Sequence, residues 1–199
     1  PYHRIRYNPA VGARHGSATT RGRVVVSEGP TPADDSRDVI DWMRAEWTER
    51  RDSAELEFAT TMALLRTHQW IVRAMDGELR SLRLSRNAYL ILTSLQLSEG
   101  RTRPLGKLSK YLMVHPTTVS MAVDQLVKAG LVERHAHETD RRTVLATLTP
   151  AGMDVVEEAN DRLAGTRFGL ASVDTETLES LIAHLQLVRR AVGDIETGH

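Results

Sequence analysis

The chain has 199 residues, of which 41% are hydrophobic and 26% charged, with a formal net charge of +0 and no cysteine. This composition is typical of a globular protein, and the lack of cysteine excludes disulfides, thiolate metal sites and thiol nucleophiles. No stretch is apolar for long enough to span a membrane, and the N-terminus lacks a signal-peptide core, so we expect a cytoplasmic protein without membrane contact.

The chain begins with a predicted basic arm at 1–35. Residues 1–30 contain five arginines and one glutamate among many glycines, prolines, serines and threonines. One short strand is conceivable there, from Arg23 to Ser27. The arginines either contact a polyanion or serve solubility alone, and the sequence leaves both readings open.

Helical periodicity starts at Ser36. Trp42 and Trp47 lie on one apolar stripe of the helix predicted there. A helix of close to 30 residues is predicted to follow, from Ser53 to Leu82. A helix of that length commonly crosses a domain or pairs with another subunit.

The middle of the chain alternates short helices with a hairpin. Ser85 is a candidate cap, Gly100 a candidate helix end, and Pro116 a typical first helical residue. The predicted elements are helices at Arg86–Ser98, Leu105–Leu112 and from Pro116 to about Lys128, strands at Leu131–His135 and Thr143–Leu148, and helices at Pro150–Leu170 and Asp174–Val192.

Two short helices joined by a tight turn and followed by a hairpin predict a winged helix-turn-helix, so the fold class is mainly α with a small β-wing. The second helix has a small polar face that suits phosphates and base edges. A surface helix without a partner is the alternative reading of that face. Its residues are Thr117, Thr118, Ser120, Met121, Asp124 and Gln125.

The segment TTVSMAVDQLVKAGLVERHAHETDRRTVLATLTPAG resembles the MarR family of bacterial winged helix-turn-helix transcriptional regulators. The resemblance implies a DNA-binding regulator, most simply a repressor, whose wing inserts Arg142 into the minor groove with Asp140 as its brace and Arg141 on a phosphate. His115 is expected to cap the second helix or to contact a phosphate. Met121 stands where the family often has arginine, which indicates a different operator.

The turn between the two helices often carries glycine in the family, whereas this chain has Met113 there. A left-handed conformation at that residue would cost about 1 kcal/mol.

The resemblance also implies a homodimer that reads a pseudo-palindrome, and the apolar stripes of the long helices support a dimer independently. We predict a MarR-type domain over 36–199, in which dimerisation helices at 36–84 and 150–199 flank a winged helix-turn-helix at 85–149.

Such regulators usually respond to a small aromatic or anionic effector. Alternatively, each tryptophan is simply a core residue. A further alternative is that Trp42 and Trp47 cover the effector pocket or are buried in the dimer interface. The candidate ligand contacts are Trp47, Arg66, His68, Trp70, Arg86 and Tyr89.

Two functions compete with a DNA-binding regulator. A winged-helix interaction module that has lost DNA binding is the first. An enzyme is the second, but the sequence lacks a P-loop, a dinucleotide-binding turn and a nucleophile elbow, and we expect no cofactor.

His135, His137 and Glu138 could suggest a metal site on the wing. Two arginines beside it and the lack of a fourth ligand argue against that reading.

Overall fold

The structure, a computed structural model, describes residues 38–195 apart from 138 and 141. The predicted arm at 1–35 and its conceivable strand lie outside the described residues. The described elements are seven helices, α1 (Val39–Arg50), α2 (Glu55–Arg80), α3 (Arg86–Gln96), α4 (Leu105–Leu112), α5 (Pro116–Lys128), α6 (Pro150–Gly165) and α7 (Thr175–Ala191), and three strands, β1 (Thr102–Pro104), β2 (Val132–Ala136) and β3 (Val144–Leu148).

Helices α1 and α2 form an antiparallel hairpin at the N-terminal end. The rings of Trp47 and Phe58 stack with their centroids 4.1 Å apart and an interplanar angle of 17°. The Trp47 indole N–H donates to the carbonyl of Ser53 at 2.9 Å, and Arg44 pairs with Glu55 at 2.5 Å. These contacts give α1 a fixed position on α2, because stacking, hydrogen bond and ion pair act at the same turn.

The core lies where α3, α4 and α5 meet β3 and α6. Ser85 caps α3 by accepting from the amide of Ala88 at 3.2 Å, as predicted. Tyr89 is buried, and its hydroxyl donates to Asn160 of α6 at 2.9 Å, so the α3–α6 contact includes a satisfied polar pair. The largest fully buried side chains are Leu79, Ile91, Leu92, Leu95, Leu108, Val119, Val123, Val132, Val156 and Leu163.

The sheet has the order β1-β3-β2 with both pairs antiparallel, which confirms the mainly α fold with a small β-wing. Val132 lies opposite Leu148 and Ala136 opposite Val144, so the predicted hairpin forms in a register that buries Val132, Ala146 and Leu148. The sequence analysis did not include β1. That strand has three residues and ends on a proline, which leaves no alternation to detect.

Thr149 and Gly152 join the wing to α6. The Thr149 hydroxyl donates to the carbonyl of Gly130 at 2.8 Å and accepts from the amide of Gly152 at 2.9 Å. A Cβ built on Gly152 would lie 2.1 Å from the carbonyl oxygen of Leu131. The chain therefore requires glycine here for close approach of two backbone segments.

Two predicted helices end earlier than expected. Helix α3 stops at Gln96, and a 3₁₀ turn at Glu99–Arg101 contains Gly100 with φ 60°. Helix α6 stops at Gly165 and not at Leu170, because Arg167, Phe168 and Gly169 all have positive φ. The turn brings Gly169 against Ala74 of α2, and a Cβ there would lie 2.5 Å from that of Ala74.

Helix α7 follows its predicted course but packs on little of the described chain, since none of its residues is buried. Its predicted apolar stripe remains open: Ile182 is 57% exposed, and Leu181, Val188 and Val192 are also exposed.

No helix within the described range is both long and apolar enough to cross a membrane.

Candidate nucleic-acid interface

Helix α5 turns one face into the core and the other outward. Val119, Val123 and Leu126 are buried, whereas Met121 is 61% exposed. The other predicted contact positions on this helix divide by burial: Thr117 and Gln125 are exposed, and Thr118 and Ser120 are half-buried.

The entry to α5 is held by two local features. His115 is the N-cap, and its Nδ1 accepts from the amide of Thr117 at 3.2 Å, which confirms its predicted capping role. Met113 has φ 51° and ψ 34°, so the turn does require the left-handed conformation. The Met113 side chain is 78% exposed, so packing does not explain a methionine at this turn.

The wing turn is organised by Asp140. Its carboxylate accepts from the backbone amide of Arg142 at 3.1 Å and from the hydroxyl of Thr143 at 2.7 Å. Both hydrogen bonds lower the pKa of Asp140 below its usual value, and the bond from the Thr143 hydroxyl has the larger effect.

The geometry differs from the sequence-based expectation in one respect. We predicted that Asp140 braces the Arg142 guanidinium. Within the described residues, the two groups do not form an ion pair. The carboxylate holds the backbone of the turn instead, in the manner of an Asx-turn. Arg141, the predicted phosphate contact, lies outside the described residues.

His137 is also used by the turn. Its Nδ1 accepts from the amides of Thr139 at 3.3 Å and of Asp140 at 3.4 Å. A nitrogen engaged in this way has no lone pair to offer a metal ion. His135 lies two residues before His137, on β2, and is exposed.

A basic cleft of about 590 Å³ connects α5 to the wing. It is lined by Lys107 and Lys110 of α4, Ser120 of α5, and Arg134 and Arg142 of the hairpin. Arg134 is balanced by Asp124, and Lys107, Lys110 and Arg142 give this side of the molecule an excess of positive charge next to the exposed face of α5. Helix, cleft and wing therefore form one continuous surface suited to a polyanion.

Three members of this surface were not predicted from the sequence: Lys107, Lys110 and Arg134. The two lysines are three residues apart on one helix, a spacing that puts them on the same side, so the signal was present. Arg134 donates to Asp124 of α5 at 2.5 Å, a pairing across ten residues that only the folded hairpin reveals.

The six candidate effector contacts do not come together within the described chain. Trp47 is stacked on Phe58, and Tyr89 is buried against Asn160, so both are occupied by packing. Arg86 lines a separate cleft near the start of α3, and His68 is exposed on α2. Only two of the six share a groove: Arg66 and Trp70 line a space of about 580 Å³ between α1 and α2, together with Val39, Ile40, Met43, Met62, Leu65, Thr67, Gln69 and Arg73.

Comparison with known proteins agrees with this geometry. A model of the MarR family matches residues 84–144. The HTH-type transcriptional regulator YhbI of Bacillus subtilis is 32% identical over 94 residues, which are 47% of this chain and 60% of YhbI, so the chain spans less than two thirds of that relative.

Solved structures extend the likeness beyond the matched core. Sco5413, a MarR family transcriptional regulator from Streptomyces coelicolor, is 33% identical with a TM-score of 0.65, over 70% of this chain and 97% of Sco5413. Sco3205 from the same organism, solved in complex with DNA, shares the fold with a TM-score of 0.64 at 23% identity, over 72% of this chain and 91% of Sco3205. Proteins of this family are transcriptional regulators and not enzymes. The winged helix-turn-helix, the family match and the near-complete coverage of Sco5413 together show that this chain belongs to the MarR family.

Proposed function

We propose that the protein is a sequence-specific repressor that binds double-stranded DNA as a homodimer and responds to a small effector. The observation that carries the proposal is the single surface formed by the exposed face of α5, the basic cleft and the wing. In helix-turn-helix proteins a helix with an exposed polar face enters the major groove, and cations beside it pair with phosphates. Such a role places the protein in the cytoplasm, where bacterial DNA lies.

Helix α5 is the element that enters the major groove. Its polar and apolar contacts come from Thr117, Thr118, Ser120, Met121 and Gln125, with His115 at the helix N-terminus beside a phosphate. Backbone amides at a helix N-terminus favour an anion, and Thr and Ser hydroxyls donate to phosphate oxygens.

The wing supplies the minor-groove contact. Arg142 is exposed at the turn, and a narrow minor groove attracts arginine through its enhanced negative potential. Asp140 fixes the backbone from which Arg142 projects, so it acts through the geometry of the turn. Arg141 and the lysines of the cleft are assigned to phosphates, which add affinity without base information.

The open stripe of α7 supports the homodimer. A helix with exposed Leu181, Ile182 and Val188 and no buried residue is unusual in a monomer, since contiguous apolar surface of this kind marks an interface. A second copy of the chain covers it in our proposal. Two-fold symmetry then places two α5 helices about one turn of DNA apart, on a pseudo-palindromic operator.

The groove between α1 and α2 supports effector binding. It combines the guanidinium groups of Arg66 and Arg73 with Trp70, whose side chain is 66% exposed, and with Met43. This lining suits a small aromatic carboxylate, which would pair with a guanidinium and stack on the indole. Titration with benzoate and its hydroxylated derivatives, followed by tryptophan fluorescence, should give a change that Trp70→Leu abolishes.

The proposed DNA binding is tested by selection from a random duplex library with full-length protein, followed by fluorescence anisotropy on the enriched sequence. We expect a pseudo-palindrome bound at least 10³-fold more tightly than unrelated DNA. Recovery of no enriched sequence, with protein that is folded by circular dichroism, would favour an interaction module without DNA binding.

A further inference from the structure

The outward face of α5 has an unusual composition for a helix that enters a major groove. Thr117, Met121 and Gln125 are spaced by four residues and are all exposed, so they form one stripe along the helix. Between Pro116 and Val127 there is no arginine or lysine, and Lys128 is the sole basic residue of the helix. Because guanine is most commonly read by arginine or lysine, the stripe lacks the usual guanine contact.

Lys128 lies at the C-terminal end of this face, and Asp124, its one acidic group, is already engaged. Asp124 accepts from Arg134 of β2 at 2.5 Å, which turns its carboxylate toward the wing and balances its charge. One oxygen of that carboxylate is used by Arg134, which weakens Asp124 as an acceptor for the amino group of cytosine. His115 caps the helix through Nδ1, which accepts from the amide of Thr117, and its proposed contact is a phosphate.

Two side chains at the centre of the stripe therefore remain as base readers. Met121 is 61% exposed and offers a flexible apolar end, which matches the methyl group of thymine. Gln125 presents a donor and an acceptor, which match N7 and the amino group of adenine. Four residues of helix rise about 6 Å, which corresponds to about two base pairs of DNA.

We propose that α5 specifies an A·T-containing core in each operator half-site, with a thymine methyl against Met121 and an adenine about two base pairs away against Gln125. The inference rests on the proposed DNA binding and adds the base identities that the helix reads. It also assigns Met121 and Gln125 as the specificity-determining residues of the family site in this chain.

The experiment removes single atoms from the DNA. In the enriched operator, each thymine is replaced in turn by deoxyuridine, which lacks only the methyl group, and affinity is measured by anisotropy. One position per half-site should lose about fourfold in affinity with wild-type protein, the value of one buried methyl group. That loss should disappear with Met121→Ala and persist with Met113→Ala, a control in which another exposed methionine is truncated.

The adenine contact is tested in the same format. Replacing adenine by 7-deazaadenine removes the N7 acceptor, and one position should lose about fivefold or more with wild-type protein. Gln125→Ala should bind normal and modified operator equally. The Met121→Ala variant should still distinguish them, because its contact lies at another base pair.

The possible outcomes distinguish an error in the base assignment from an error in the proposed DNA binding. If no duplex is enriched, both are wrong. If an operator is enriched but no thymine methyl matters, or if the loss disappears with Met113→Ala and not with Met121→Ala, the base assignment is wrong and DNA binding stands. An enriched core in which G·C pairs replace the thymine and adenine would overturn the assignment as well.

Discussion

At Met113 the backbone of the turn between α4 and α5 has φ 51°, a region that L-residues with a Cβ avoid. The amide of Val114 still donates to the carbonyl of Ser109 at 3.2 Å, so the helix end is closed as glycine would close it. The side chain is 78% exposed and contributes little packing in return. The position is therefore strained for geometric reasons alone.

We predict that Met113→Gly stabilises the protein by about 0.5–1 kcal/mol, because removal of the left-handed penalty exceeds the added entropy of the unfolded chain. Met121→Gly is the control, since it removes another exposed methionine, this one from a helix interior. That variant should lose about 1 kcal/mol. Urea unfolding followed by circular dichroism measures both, and a destabilised Met113→Gly variant would refute the strain.

Asp140 gives a prediction about pH. Its lowered pKa means that the turn favours the ionised carboxylate, so the stabilisation is fully present above the unfolded-state pKa of about 3.9. It is lost only as pH falls through the lower, folded-state pKa. In an NMR titration below pH 5, the amide of Arg142, which donates to this carboxylate, should therefore shift with a midpoint below the ordinary value of about 3.9. A midpoint at or above the ordinary value would contradict the hydrogen-bonded turn.

At the scale of elements, the helices with strong local signals were predictable and the boundaries set by tertiary contact were not. Helix α5 begins at Pro116 after a capping residue, and its start was predicted correctly. Strand β1 has three residues and forms only because β3 offers an edge, a long-range cause that no local pattern carries. Helix α6 ends early because Gly169 must approach Ala74 of α2.

Gly152 illustrates a junction between elements, and we predict that Gly152→Ala destabilises the protein by about 1–3 kcal/mol or more. The added Cβ would meet the carbonyl oxygen of Leu131 and the Cδ1 of Leu148, neither of which can move without shifting the wing. Gly165→Ala, in the same helix, meets nothing within 4 Å and should be neutral or stabilising by up to about 1 kcal/mol. Equal unfolding free energies for the two variants would contradict the close packing at Gly152.

At the scale of the whole molecule, α7 determines the prediction about assembly. Sedimentation should give about twice the chain mass of 22.2 kDa for wild-type protein. Ile182→Glu puts a charge on the open apolar stripe and should shift the protein toward monomer, because burying an unpaired carboxylate is costly. Ala183→Glu adds the same charge to the opposite side of the helix and should remain dimeric. Dissociation in neither variant, or in both, would contradict an interface on this stripe.

The candidate DNA surface was only partly foreseeable from sequence. The exposed residues of α5 and the wing tip could be named because they carry the pattern of the family. The basic cleft could not be assembled, since Lys107, Ser120 and Arg134 come from three elements that meet only in the fold. The role of Asp140 was also misplaced, because sequence identifies an acid near an arginine but not which atom of the arginine residue it contacts.

The most direct measurement is the affinity of Arg142→Ala for the enriched operator, compared with Arg190→Ala, which removes the same charge from α7. We expect the first variant to lose about fivefold or more in affinity and to reduce the slope of log affinity against log salt by about 0.9 per chain, with its thermal stability unchanged. Arg190→Ala should bind like wild-type protein. Unchanged affinity and slope for Arg142→Ala, or equal losses in the two variants, would contradict the account of the wing as part of the DNA-binding surface.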